Sequence, residues 1–283
     1  MSLEVAIDTR AELGEGPRWD AATERLLWVD VEGRCLHVFD PETGSDRAIS
    51  LDSRVGVGQP MSDGRVLVAL ADRLAALDLD DESVETLVPI PHEPGLRLND
   101  GNCDPQGRFW VGSMELEYAP GAASLYRYDG ELREVLTDVT ISNGIGWSPD
   151  GALMYYVDTR THGIDVFDFD DGLPSGRRRF ATIERAGWPD GLAVDDEGGV
   201  WVALWGGSAV RRYAPDGALD EVIDVPALNV TAPCFGGPER NRLFITTAAP
   251  DGRVFVMDVA VTGPPAQPFQ STAPSEAEPT SRR

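Results

Sequence analysis

Short apolar runs recur along this chain roughly every 40 to 47 residues, each after a polar turn. The runs occupy residues 26–29, 66–69, 109–112, 153–157, 200–203 and 243–246. The turns before them fall at residues 19–23, 62–64, 104–107, 148–151, 195–198 and 237–241. A unit of about 40 residues holding several short strands is the pattern of a β-propeller. Six such units fit 283 residues, so the pattern predicts an all-β, six-bladed β-propeller.

Residues 3–7 also alternate like a strand, yet they precede the first turn. They are predicted to pair as the outer strand of the last blade, beside residues 253–257. That pairing would close the ring and remove its open edges. Blade one is predicted to run to about residue 44, with a hairpin turn at residues 40–44. Blade two spans about residues 54–88, and blades three to six begin near Arg97, Ser142, Pro189 and Val230. The propeller thus covers residues 1–260. From Val261 the strand pattern stops, and the Pro-, Ser- and Thr-rich stretch 261–283 is expected to be a disordered tail.

Just before four of the turns stand Gly14-Glu15-Gly16-Pro17, Arg97-Leu98-Asn99-Asp100-Gly101, Ser142-Asn143-Gly144 and Pro189-Asp190-Gly191. In a propeller the segment entering each innermost strand lies near the central channel. Glu15, Asn99, Asn143 and Asp190 are therefore expected to converge from four blades onto one axis. Oxygen-bearing side chains that meet in a cavity repel or go unsatisfied unless something sits between them. A divalent cation is the simplest occupant, because hard cations take carboxylate and amide oxygens. Any one of these segments alone is ordinary turn chemistry. Several in register favour a site.

Composition narrows the partners. The chain has 48 acidic residues against 24 basic ones, all arginine, for a formal net charge of −24. That field opposes nucleic acid and anionic membrane surfaces and gathers cations. No run of about 18 apolar residues exists to span a membrane. The start, Met1-Ser2-Leu3-Glu4-Val5, lacks the basic and apolar regions of a signal peptide, so a cytoplasmic protein is expected, by default a monomer. Cys35, Cys103 and Cys234 form no Cys-x-x-Cys pair. Cys35 reads as a core thiol, and Cys103 and Cys234 as buried residues near the channel. His37, His92 and His162 lie outside the channel-entering segments, and no Gly-x-Ser-x-Gly elbow is present, so a serine–histidine triad is disfavoured. His92 reads as a loop residue. Residues 168–172 have the wrong spacing for a calcium loop and read as a hairpin turn.

The motifs as a set resemble a known family. The segments at 14–17, 97–101, 107–114, 141–144, 189–191 and 234–237 are similar, in order and spacing, to the regucalcin/gluconolactonase or senescence-marker-protein family, which includes luciferin-regenerating enzymes. The likeness covers about residues 9–258, and residues 229–238 resemble the bacterial sugar-lactonase type. It implies a six-bladed propeller with one divalent metal in the channel and sugar-lactone hydrolysis as the activity. It also implies Glu15, Asn143 and Asp190 as the metal ligands. Two carboxylates and an amide neutralise a dication and leave positions open for water and substrate. Arg97 and Glu117 match family positions that hold substrate hydroxyls, with Glu115 as the alternative to Glu117. Asn99 is expected to hydrogen-bond the substrate or a water, and Asp100 to fix the Gly101 turn. Tyr118 and the loop around Pro60 and Met61 are expected as pocket walls, and Trp205 reads either as a wall or, as an aromatic there more often is, as core.

The reaction implied is metal-dependent opening of an aldonolactone to the aldonic acid. In it the metal acts as Lewis acid, Asp190 as general base for water, and Arg97 assists the oxyanion. The oxygen donors admit Ca²⁺, Mg²⁺, Mn²⁺, Zn²⁺ or Fe²⁺. The alternatives are a non-catalytic propeller that binds a metal or small ligand, and a related hydrolase of phosphotriesters or non-sugar lactones. Arg97 and Asn99, as hydroxyl-reading groups beside an open metal, favour the sugar enzyme.

Overall fold

Each turn of the repeat joins the first two strands of a four-stranded antiparallel blade. The protein is described here from a computed structural model, which covers residues 2–91, 93–184 and 187–270. Blade three is typical: Leu96–Cys103, Phe109–Glu115, Ala123–Tyr128 and Leu132–Val139 pair in that order. Its second strand is covered on both faces, with Phe109, Trp110 and Val111 fully buried. A strand sandwiched between neighbouring blades reads as a continuous apolar run rather than an alternation. The outermost strands, such as Val84–Pro89, keep mostly exposed side chains. Six such sheets are present, as the repeat predicts.

The six innermost strands are Gly14–Asp20, Val55–Pro60, Leu96–Cys103, Ser142–Trp147, Trp188–Val194 and Val230–Gly236. They touch one another in a closed circle around the channel. Large side chains fill the wedges between blades. Trp110, Trp147, Met154, Tyr156 and Phe169, for example, lock blade three to blade four. Glu4–Ile7 pairs with Val254–Asp258, Val5 opposite Phe255, so the first strand closes the last blade as predicted. Asp171 and Gly172, both at positive φ, make the hairpin turn expected at 168–172. Among the described residues the one helical element is the 3₁₀ turn Thr159–Thr161, and no helix is long and apolar enough to cross a membrane.

Two sequence expectations need correction. Blade one does not end at the 40–44 turn, because Ser45–Ser50 follows as its fourth strand. Its polar, exposed residues carry no apolar run. Nor does order end at Val261. Residues 262–270 form a strap across the far end of the channel. Thr262 Oγ1 donates to Asp196 Oδ2 (2.7 Å), Gln59 Nε2 to the Gln267 carbonyl (2.7 Å), and Phe269 N to the Pro60 carbonyl (2.8 Å). Phe269 is 3% exposed and stacks on Tyr128 at 5.6 Å between ring centroids. One aromatic anchor and these hydrogen bonds hold a stretch that is otherwise rich in proline and small or polar residues. The rest of the expected tail, residues 271–283, lies outside the described residues, as does His92. Phe269→Ala is expected to cost about 3 kcal/mol, the scale of emptying a buried aromatic site. Urea unfolding of the two proteins would show it, and an unchanged midpoint would mean that the strap bears no load.

Candidate functional site

At every inner strand the pairing with the second strand slips. The slips fall between Glu15 and Arg18, Val55 and Gly58, Leu98 and Gly101, Ser142 and Ile145, Pro189 and Leu192, and Val230 and Ala232. A bulge bends its strand and re-aims a side chain that strict alternation would send elsewhere. Asn99, Asn143 and Asp190 lie inside such bulges, and Glu15 borders its own. These four and Arg97 line one cavity of about 280 Å³ at the channel mouth. The other two blades withhold a free group. At Gly56 a Cβ would sit 1.9 Å from the Asn99 carbonyl oxygen, so no side chain fits. Thr231 spends its hydroxyl on the Gly14 carbonyl at 2.6 Å.

Glu15, Asn143 and Asp190 are all buried. Asn143 Nδ2 donates to Thr159 Oγ1 at 3.0 Å, which leaves its Oδ1 without a partner. Asp190 Oδ1 also has none. Burial pushes the Glu15 carboxyl up to about 8; Asp100 adds to the shift, while the Gly16 N–H, Arg97 and Arg18 oppose it. Burial likewise pushes Asp190 well above the usual carboxylate range, reinforced by Glu15 and Asp100. A buried Glu15 carboxylate, whose Oε2 accepts from Gly16 N at 3.0 Å, and the unpartnered oxygens of Asp190 and Asn143 form a set that a hard dication would satisfy. The residues present therefore fit such an ion.

Arg97 is buried beside them. Its Nη1 donates to the Leu98 carbonyl (3.0 Å) and to Asn99 Oδ1 (2.7 Å), while its Nε has no partner. Burial draws its pKa down against the pull of Glu15. Asn99 Nδ2 donates to the Ser142 carbonyl at 2.8 Å. Asn99 thus holds Arg97 and the Ser142 backbone while it lines the cavity, with a second N–H and a second lone pair on its amide. Asp100 accepts from Gly101 N (2.8 Å), as predicted, and also pairs with Arg18 at 3.0 Å.

The structure does not bring Glu117 to the cavity. It is exposed, and its N–H donates to Glu115 Oε2 at 2.7 Å. The same Glu115 oxygen accepts from Ala119 N at 3.0 Å, so Glu115 holds the loop together and does not take the role either. Loop length, which motif spacing does not report, decides which side chain turns inward, and here it is Tyr118. Trp205 forms a wall rather than joining the core. Pro60 and Met61 lie at the opposite end of the channel, where Met61 bridges to Phe269. Leu13, Met114, Ile141, Thr159, Arg160 and Trp188 complete the lining without having been given a role from the sequence. Met114, Thr159 and Trp205 stand at or beside the ends of second strands, next to the starts of the inner ones. Extending the repeat register by one strand would have found them.

The thiols lie elsewhere. Cys103 and Cys234 line a second cavity of about 240 Å³ at the far end of the channel, under the strap. Burial pushes Cys234 to about 11 and Cys103 well up, so neither supplies a thiolate near neutral pH. Cys35 is half-buried rather than in the core, with its Sγ on the Gly33 carbonyl. His37 bonds Asp46 at 2.9 Å and stacks on Trp28, and His162 stacks on Trp188.

The chain folds as a six-bladed propeller with an oxygen-rich cavity at one mouth of its channel. The chain belongs to the SMP-30/gluconolactonase/LRE-like family, whose pattern matches residues 13–249. It is 34% identical over 284 residues to the pentonolactonase XacC of Haloferax volcanii, covering 94% of this chain and 97% of that one. It is 32% identical over 262 residues to regucalcin of Xenopus laevis, covering 88% and 87%. The crystal structure of a calcium-binding regucalcin from Agrobacterium tumefaciens superposes with a TM-score of 0.91 at 30% identity, over 95% of this chain and 97% of that one. The resemblance drawn from the motifs agrees with this membership.

Proposed function

We propose that this protein hydrolyses a sugar lactone to the open-chain acid, with a divalent cation held by Glu15, Asn143 and Asp190. One observation carries the reading: the unpartnered oxygens of Asn143 and Asp190 meet a buried Glu15 in a cavity that a sugar ring can enter. The name of the pentonolactonase relative, aligned over almost its whole length, supports the substrate class. When bound, the cation supplies a Lewis acid and lowers the pKa of water.

The chain's own groups supply the rest. Asp190 is the general base that takes a proton from the attacking water and returns it to the ring oxygen as the C–O bond breaks. Thr159 fixes the Asn143 amide so that its oxygen, not its nitrogen, is free. Arg97, held by Asn99, donates to an oxygen of the lactone. Met114, Ile141, Trp188 and Trp205 cover the carbon face of the sugar and exclude water.

The test is chelator-stripped protein assayed with a pH indicator across a panel of aldonolactones, each divalent ion restored in turn. Cation-dependent turnover of at least one lactone above its spontaneous opening is the expected result. Cation binding without turnover of any lactone would move the protein to the binding propellers.

A further inference from the structure

Arg160 stands at the rim of the same cavity, exposed, in the turn Thr159–Thr161. Its guanidinium carbon lies 5.0 Å from the Trp188 ring centroid and 5.9 Å from that of Tyr118. Two faces of π-electrons thus orient the group. The turn beneath it is fixed. The Asp158 carboxylate accepts from Thr140 N and Ile141 N, both at 3.1 Å, Thr161 Oγ1 donates to the Asp158 carbonyl at 2.9 Å, and His162 backs Trp188 at 4.0 Å. Yet among the described residues no carboxylate pairs with Arg160, and its N–H groups are unspent. Nearby Arg177 and Arg179 both pair with Asp165. Acidic residues outnumber arginines two to one in this chain, 48 to 24, so an unpaired guanidinium at a cavity mouth calls for an explanation.

Charge gives one. Glu15 and Asp190 offset a dication, and Arg97 and Arg160 then leave the cavity net positive. Lactone opening turns a neutral ester into a carboxylate. We propose that Arg160 is the anion-reading residue of this site, its planar fork taking a carboxylate at the cavity mouth. That carboxylate is either the one formed on ring opening or an acidic substituent carried by the lactone. The inference rests on the lactonase reading above.

The cation-loaded protein, wild type and Arg160→Gln, is titrated by calorimetry with an open-chain aldonate and with the neutral alditol of the same carbon chain. The cation itself favours the acid, so the quantity read is the ratio of the two affinities. That ratio is expected to fall by about fivefold in the variant, the upper range for a partly exposed ion pair. The fall shrinks as salt is raised. Arg160→Lys restores little of it, because an ammonium lacks the planar fork that takes a carboxylate with two N–H groups. An unchanged ratio in Arg160→Gln overturns the proposal.

The two sources are separated by kcat/KM for a neutral lactone and for one bearing a carboxylate substituent. A preference for the acidic lactone that Arg160→Gln abolishes identifies the substrate as the source. An effect confined to the open acid identifies the product. Lactone turnover with an unchanged affinity ratio sinks the role of Arg160 alone. An Arg160-dependent ratio in a protein that opens no lactone sinks the lactonase reading alone.

Discussion

Replacing Asp190 by Asn is expected to lower lactone turnover by roughly 10²–10⁴-fold, the range for losing a positioned general base. The substitution keeps the shape of the side chain and removes two properties. The amide cannot accept a proton from water at any accessible pH. It also takes one negative charge from a set of two, so a dication is half neutralised and bound more weakly. The fold should not suffer. Asp190 is buried, its Oδ1 has no partner, and its surroundings already favour the uncharged form. A neutral isostere there costs less desolvation than the carboxylate does. The chelator-stripped variant should therefore melt at or above the wild-type temperature while turning over almost no lactone. Measuring kcat at saturating cation alongside Tm separates the two effects. Turnover within a few fold of wild type would remove Asp190 as the base and point to water activation without a side chain. A large drop in Tm would instead make the lost activity structural.

Much of this architecture was legible in the chain because each blade buries its second strand on both faces. Runs such as Val200–Trp205 then stand out as unbroken apolar segments, each preceded by a polar turn. The site was legible for a related reason. Gly16 takes a positive φ, and a Cβ at Gly144 or Gly191 would lie 2.5 or 2.4 Å from the next blade, so the Glu15-Gly16, Asn143-Gly144 and Asp190-Gly191 pairs mark the places where an acidic or amide side chain and a bulge coincide. What escaped has physical causes too. The outer strands, Ser45–Ser50 among them, bury only isolated side chains such as Ile49 and have no apolar period to betray them. Phe269 anchors its strap as a single residue in a Pro-rich stretch, which composition averages away. Glu117 sits in a loop where one residue of slack decides whether a carboxylate or a tyrosine faces inward. Asn99 carries the motif, but its commitment to Arg97 and the Ser142 carbonyl is a tertiary fact that no spacing encodes.

The buried carboxylates that make the site also make it a burden when empty, and this sets the sign of a stability experiment. Glu15 titrates near 8 in the fold and near 4.5 when unfolded, because burial and Asp100 disfavour its charge more than Arg97 and Arg18 relieve it. The unfolded chain therefore binds fewer protons than the folded one between those two values, so unfolding free energy falls as pH rises through that window. For Glu15 alone the loss is on the order of 5 kcal/mol once the pH passes 8. Asp190 is shifted in the same direction, but it shares the cavity with Glu15, so the two losses do not add. A general repulsion among 48 acidic residues also grows with pH, and Glu15→Gln supplies the control because it leaves that background nearly intact. Chelator-stripped wild type should lose stability between pH 5 and pH 8.5 more steeply than Glu15→Gln, with the variant the more stable of the two at the alkaline end. Saturating dication should reverse that order, since the bound ion requires the carboxylates that the empty cavity resists. Its binding should then release protons and weaken as pH falls below 8. Urea unfolding at a series of pH values, with and without cation, reads all of these. Parallel pH curves for the two stripped proteins would mean that Glu15 is already charged in the empty cavity, and the case for a built cation site would lose its electrostatic half.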